Sequence, residues 1–256
     1  ATDAYLANFA RMVHDLLAPG LVAYVELGNE IWNTGFKAAQ QAEREGVEQR
    51  LDPDPAKARF LRYSDKARHA LAIWTEVFKD NPGRLVRVVS SINVIPTLTE
   101  EILKRGDTAR FVDALATAPY FDMGVHDSVK VPDANRGFGF AGQAITDAIG
   151  FAARNRAVAH KFGKRYIAYE GGQHLTAPAR PALMEEMQRD PRMGQAYTLY
   201  LDRWNRDIGD LLVLYSSTSG IGPFGAWGLR EKAGQPISET PKLRAVQGFI
   251  AGHPAR

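Results

Sequence analysis

The spacing of apolar side chains switches repeatedly between helical and strand-like periods along this chain. Residues 3–17 carry Leu6, Phe9, Val13, Leu16 and Leu17 on one helix face, with Gly20 as a stop. Leu21 to Leu27 is a short apolar run that reads as a strand ending at Asn29-Glu30. A long helix is predicted from Asp54-Pro55, with Asp as cap and Pro in the first turn, aligning Phe60, Tyr63, Ala67, Leu71, Trp74 and Phe78. Val-rich Leu85 to Ile92, bounded by Pro82-Gly83 and Asn93, reads as a buried strand. Thr97-Leu98-Thr99-Glu100 has the pattern of a capping box opening a helix that stops at Gly106. Val112 to Phe121 reads as a helix passing into a short strand.

The same rhythm continues. A helix over Ala144 to Lys161 stops at Gly163, and a strand follows over Tyr166 to Tyr169. Then come a helix over Gly194 to Ile208, a strand over Leu211 to Ser216, and a helix opened by Thr240-Pro241 and carrying Leu243, Val246, Phe249 and Ile250. Apolar strands separated by helices predict an α/β protein with a parallel sheet covered on its outside, either a (β/α) barrel or an open doubly wound sheet. No Gly-x-Gly-x-x-Gly follows a strand and no Walker-type Lys motif occurs, which removes the main support for nucleotide binding.

Composition narrows the partners more than the fold. The chain has 256 residues, 45% hydrophobic and 24% charged, which suits one large domain over residues 1–256. The net charge of +3 comes from Lys and Arg spread along the chain, so no nucleic-acid partner is expected. No apolar run is long enough to span a bilayer, and no membrane partner is expected. The absence of cysteine excludes disulfides and thiolate chemistry and is compatible with a secreted or periplasmic setting without defining one. The chain begins at Ala1 with no signal-peptide pattern, which implies that an upstream stretch has been removed.

Two glutamates carry the candidate chemistry. Glu30 lies in Val25-Glu26-Leu27-Gly28-Asn29-Glu30-Ile31-Trp32-Asn33, and Glu170 in Tyr166-Ile167-Ala168-Tyr169-Glu170-Gly171-Gly172, each where an apolar strand opens into a loop. A carboxylate so placed can be partly desolvated and have its pKa moved by a second carboxylate, which is the equipment for glycosidic bond cleavage. The bland readings are a helix-capping or solvated acid for Glu30 and a residue before a tight turn for Glu170. Trp32 and Trp227 sit in polar, glycine-containing surroundings suited to stacking on a sugar. Trp74 and Trp204 lie on helical stripes and read as core. His126 and His174 follow predicted strands and are candidates for the cleft lining. With Glu30 and Glu170 they also raise a metal-dependent hydrolase, but Glu170 and His174 have a helical spacing in a segment that reads as strand end and turn. No metal and no cofactor are therefore expected.

Leu27-Gly28-Asn29-Glu30-Ile31-Trp32-Asn33, Ala168-Tyr169-Glu170-Gly171-Gly172 and Ala226-Trp227-Gly228 together resemble, in order, the active-site signatures of the clan A glycoside hydrolases. The resemblance implies a (β/α)8 TIM barrel in which Glu30 ends strand 4 as general acid/base and Glu170 ends strand 7 as nucleophile of a retaining mechanism. It further implies that Asn29 bonds the substrate 2-hydroxyl, that Trp227 floors the sugar site, and that Tyr120 bonds the nucleophile. The implied activity is hydrolysis of a β-linked poly- or oligosaccharide. A non-catalytic carbohydrate-binding barrel is the alternative.

Glu30 and Glu170 are 140 residues apart, so three repeat units take about 47 residues each and eight would need about 375. This chain has room for about five, strands 4 to 8. Strands 1 to 3 are expected from a missing N-terminal segment or a second chain. Loops Lys130 to Gly142 and Thr176 to Arg192 are expected to shape the substrate groove.

Overall fold

Four short parallel strands form the framework of the computed structural model, which describes residues 1–126 and 131–253. They are β1 (Ala23–Glu26), β2 (Leu85–Ser90), β3 (Ala114–Thr117) and β4 (Arg165–Ala168), in the spatial order β1-β2-β3-β4. Ala23 pairs with Leu85 and Val88 with Ala114. Sequence order equals spatial order, so each strand passes to its parallel neighbour through helical crossover segments.

The chain divides into two compact units. Unit 1 comprises Ala1–Thr117 and Arg154–Ile167. Its helices are α1 (Asp3–Leu16), α2 (Lys37–Glu48), α3 (Pro55–Val77) and α4 (Pro96–Lys104). Helix α1 buries Ala10 against Trp74, Phe78 and Leu85, with Val13 and Val25 packed at the margin. Helix α3 starts as the sequence predicts, with the Asp54 side chain accepting from the Ala56 N–H and Pro55 in the first turn. Asp113 ties three strands together. Its carboxylate accepts from the Arg87 N–H at 2.8 Å, Nε at 2.8 Å and Nη2 at 2.7 Å, and its carbonyl accepts from the Arg165 N–H.

Unit 2 comprises Ala118–Ala153 and Ala168–Arg256. It contains most of α5 (Ala134–Lys161), together with α6 (Pro181–Arg189), α7 (Pro191–Asp207) and α8 (Pro241–Gly252). Phe121 is fully buried between Tyr197 and Tyr200 of α7, with ring centroids 5.8 and 5.3 Å away. Helices α7 and α8 approach closely at Gly194, where an added Cβ would lie 2.9 Å from the Pro241 carbonyl.

Several expectations are corrected. Helix α2 was not foreseen, because its inward face is Ala39, Ala42 and Gly46 and offers no large apolar stripe. Helix α4 starts at Pro96 with no side-chain cap, and Thr99 instead donates to Asn155 at 2.6 Å in a buried network. The helix expected within Val112 to Phe121 is absent: a short 3-10 turn at Thr108–Phe111 leads into β3. Where a fifth strand is expected over Leu211 to Ser216, the described residues show one parallel bridge, Leu212 to Ala168. The expected groove loops are largely helical: α5 covers Ala134 to Gly142 and α6 lies within Thr176 to Arg192, while Lys130 is outside the described residues.

Candidate functional site

In unit 1 the loop after β1 holds Asn29, Glu30 and Trp32. Gly28 takes φ +80° and Glu30, a non-glycine residue, takes φ +44°. Positive φ in a glutamate is uncommon and persists where surrounding contacts enforce it, a pattern concentrated at functional sites. Here those contacts come from Asn33, whose N–H donates to the Glu30 carbonyl at 2.7 Å and whose Nδ2 donates to Glu30 Oε2 at 2.9 Å. The carboxylate is half-buried and oriented. Asn29 is exposed, while Ile31 is buried and anchors the turn.

Glu26, the last residue of β1, was quoted in the sequence motif but given no role. Burial pushes its carboxyl up to about 7, opposed by a hydrogen bond from the Ser90 hydroxyl, and its Oε1 has no hydrogen-bond partner. The Oη of buried Tyr63 accepts from the Ser90 N–H at 2.9 Å and lies 3.3 Å from the Ser90 hydroxyl, and its phenol is raised by burial and by the Glu26 charge.

In unit 2 Glu170 lies just past the end of β4, half-buried, before two glycines with little room for a side chain. A Cβ on Gly171 would lie 2.6 Å from Tyr200 Oη, and one on Gly172, at φ +131°, 2.6 Å from Tyr197 Oη. The same tyrosines fix the loops around Glu170. Tyr200 Oη donates to the Pro119 carbonyl at 3.0 Å, and Tyr197 Oη accepts from the Gln173 N–H at 3.3 Å. The glycines are thus required by packing of α7 as well as by chain direction.

Tyr120, His126, His174 and Trp227 come together in unit 2. The Trp227 ring lies 5.3 Å from Tyr120 and 5.1 Å from His174, both edge-on, and His174 lies 6.2 Å from His126. Trp227 Nε1 donates to the Phe224 carbonyl at 2.9 Å, which fixes the ring. Its backbone is held by Lys242, a fully buried amine that donates to the Ala226 and Trp227 carbonyls at 3.1 and 3.2 Å. Burial holds the Lys242 amine well below the usual lysine range, against the opposing pull of Glu231. Gln173 Nε2 also donates to the Ala226 carbonyl.

Tyr215 extends this aromatic surface, 6.0 Å from Trp227 and 45% exposed. It escaped sequence reasoning because it falls in an apolar run read as a core strand. Asp122 was also missed. It lies beside His126, whose Nε2 is 2.9 Å from its Oδ2.

No protein-family model matches this chain, and no curated protein matches its sequence. Its structure is similar to solved glycosidases. The GH51 arabinofuranosidase from Xanthomonas axonopodis pv. citri aligns with TM-score 0.55 and 12% identity over 85% of this chain and 44% of that one. An alpha-L-arabinofuranosidase from Thermotoga maritima in complex with arabinose aligns with TM-score 0.51 and 12% identity over 96% of this chain and 47% of that one. The chain thus spans less than half the length of either. At such identity the likeness is one of fold, an α/β fold with a parallel sheet.

Proposed function

We propose that this chain carries the catalytic pair of a glycoside hydrolase that cleaves O-glycosidic bonds of a β-linked poly- or oligosaccharide by retaining double displacement, without a cofactor. One observation carries the reading: Glu30 and Glu170 each stand just past the C-terminal end of a parallel strand, in a fold shared with solved glycosidases. In parallel α/β proteins that end of the sheet is where catalytic side chains collect. Glu30 acts as general acid and then base, and Glu170 as the nucleophile that forms the glycosyl-enzyme. Asn29 bonds the sugar 2-hydroxyl. Trp227 supplies the apolar floor, with Trp32, Tyr120, His126 and His174 lining the site and Tyr215 extending the floor.

The catalytic domain on this reading is a (β/α)8 barrel of which this chain supplies strands 4 to 8 and their helices. Exposed apolar side chains lie around the strand segments: Leu21, Val22 and Tyr24 around β1, and Leu211 and Val213 on the segment bridged to Ala168. A further segment or second chain would cover them.

The test uses the complete protein on aryl β-glycosides and β-linked oligosaccharides. We expect Glu30→Gln and Glu170→Gln each to lower kcat by about a thousandfold or more while leaving oligosaccharide binding within a few fold. Proton NMR of the first-formed product gives retained anomeric configuration. Undiminished turnover in both variants overturns the assignment of the pair, and an inverted product overturns double displacement.

A further inference from the structure

Asp122, His126 and His174 each bring one metal-ligating atom into a group whose members all lie within 4.8 Å of one another. We propose that these three side chains form a binding site for a divalent transition-metal cation, with zinc the favoured occupant. The proposal assigns the cation no part in bond cleavage and does not depend on the glycosidase reading, although His126 and His174 also line the proposed sugar site.

The backbone brings the ligand-bearing segments side by side. The segment from Phe121 to His126 runs parallel to the segment from Gln173 to Thr176, with bridges at Phe121–Gln173 and His126–Thr176. The Phe121 N–H donates to the Gly172 carbonyl and the His174 N–H to the Phe121 carbonyl, both at 2.9 Å. Residues distant in sequence are therefore fixed side by side before any ion arrives, which limits the conformational entropy lost on binding.

The donor chemistry fits. His126 Nε2 stands 2.9 Å from Asp122 Oδ2, a separation that suits an Nε2–H donating to the carboxylate and equally two ligands on one ion. Thr176 Oγ1 lies 3.4 Å from His126 Nδ1, the position of an outer partner that sets which ring nitrogen is left to coordinate. Metal–ligand bonds of about 2.1 Å in a tetrahedron separate donor atoms by about 3.4 Å, so small side-chain rotations close the group on an ion. Two imidazoles and one carboxylate form the ligand set of open zinc sites, which keep positions for water or another ligand. Asp122 is exposed and gives the cation an entry, while Trp227 and Tyr120 wall the His174 side.

Sequence spacing concealed this site. Asp122 and His126 are separated by the interval of one helix turn, yet they meet across a bend at Gly124, where φ is +73° and the Gly124 N–H donates to Asp122 Oδ1, and their partner comes from a paired segment some fifty residues away.

The experiment is zinc titration of the chelator-treated full chain against a chromophoric competitor, with cobalt(II) absorption as a second readout. We expect about one zinc per chain and a visible cobalt band of a four- or five-coordinate N/O site. Asp122→Asn, His126→Gln and His174→Gln should each weaken zinc binding by about tenfold or more. Zinc should also raise the unfolding midpoint of the parent and not of the variants, because a ligand bound only by the native state stabilises it. Circular dichroism identifies variants that remain folded, and Thr176→Val, which removes the outer partner without touching a ligand, should weaken zinc binding to a smaller degree. No zinc above the level carried by the triple variant, or equal zinc affinity in the parent and all three folded single variants, overturns the proposal.

Discussion

Glu26 is a side chain whose protonation is coupled to folding. Burial raises its carboxyl to about 7 from an ordinary 4.5, while the Ser90 hydroxyl pulls the other way. The native state therefore binds a proton more tightly than the unfolded chain. The stability this contributes is complete below about pH 4.5 and is lost as pH rises toward 7, where the carboxylate must ionise in place. Glu26→Gln removes the titration. In urea unfolding, we expect the variant to gain about 2 kcal/mol on the parent between pH 5 and pH 8. A difference independent of pH would show that Glu26 is not the buried acid described. The sequence announced Glu30 and Glu170 by motif, but it could not distinguish Glu26, because the burial of a strand-end carboxylate depends on Ser90 and Tyr63 arriving from β2 and α3. Asn33 behaves alike: it stands in the quoted motif, and only the folded loop shows it gripping Glu30 at both backbone and carboxylate.

Among the elements, legibility followed side-chain size. Helices α1, α3 and α8 and strand β2 were readable because large apolar residues repeat on one face. Helix α2 packs through Ala39, Ala42 and Gly46 and is clamped by ion pairs from α3, Arg59 to Glu43 at 2.5 Å and Arg62 to Glu45 at 2.7 Å, features that a hydrophobic period does not register. Helix α6 is short, and its Leu183, Met184 and Met187 cover little more than one turn. Strand junctions depend on polar links as well. Burial alone would raise the Asp113 carboxyl, and its hydrogen bonds and charge pairing with Arg87 hold it below the usual range. Removing Asp113 leaves the Arg87 guanidinium and a strand N–H without that acceptor. We expect Asp113→Ala to cost about 2 kcal/mol in urea unfolding, and Arg87→Ala combined with it to cost much less than the two single changes added. Strict additivity would mean that the pair is not coupled.

At the level of the whole molecule, the sheet pattern and the α/β class were legible from the alternation of periods, whereas the extent of the strands was not. Strand pairing depends on partners remote in sequence, so the run over Leu211 to Ser216, apolar enough for a strand, makes a single bridge, at Leu212, among the described residues. In unit 1, helix α1 turns Tyr5, Phe9, Met12 and Leu16 outward, and Leu21 and Val22 are exposed before the edge strand β1. A row of exposed apolar residues beside an open strand edge favours association. We expect the isolated chain to self-associate in a concentration-dependent manner in light scattering after size exclusion, and Leu16→Lys with Val22→Lys to shift it toward monomer. A parent chain that stays monomeric across the accessible concentration range would contradict this. Lys242 has a different consequence. Amines such as Lys79 and Lys104 stand in solvent, while that of Lys242 is sealed beneath the Ala226–Trp227 carbonyls. An acylating reagent can reach it only during an opening of unit 2, so each labelled Lys242 records one such event, and the residue serves as an internal clock of breathing beneath the Trp227 platform.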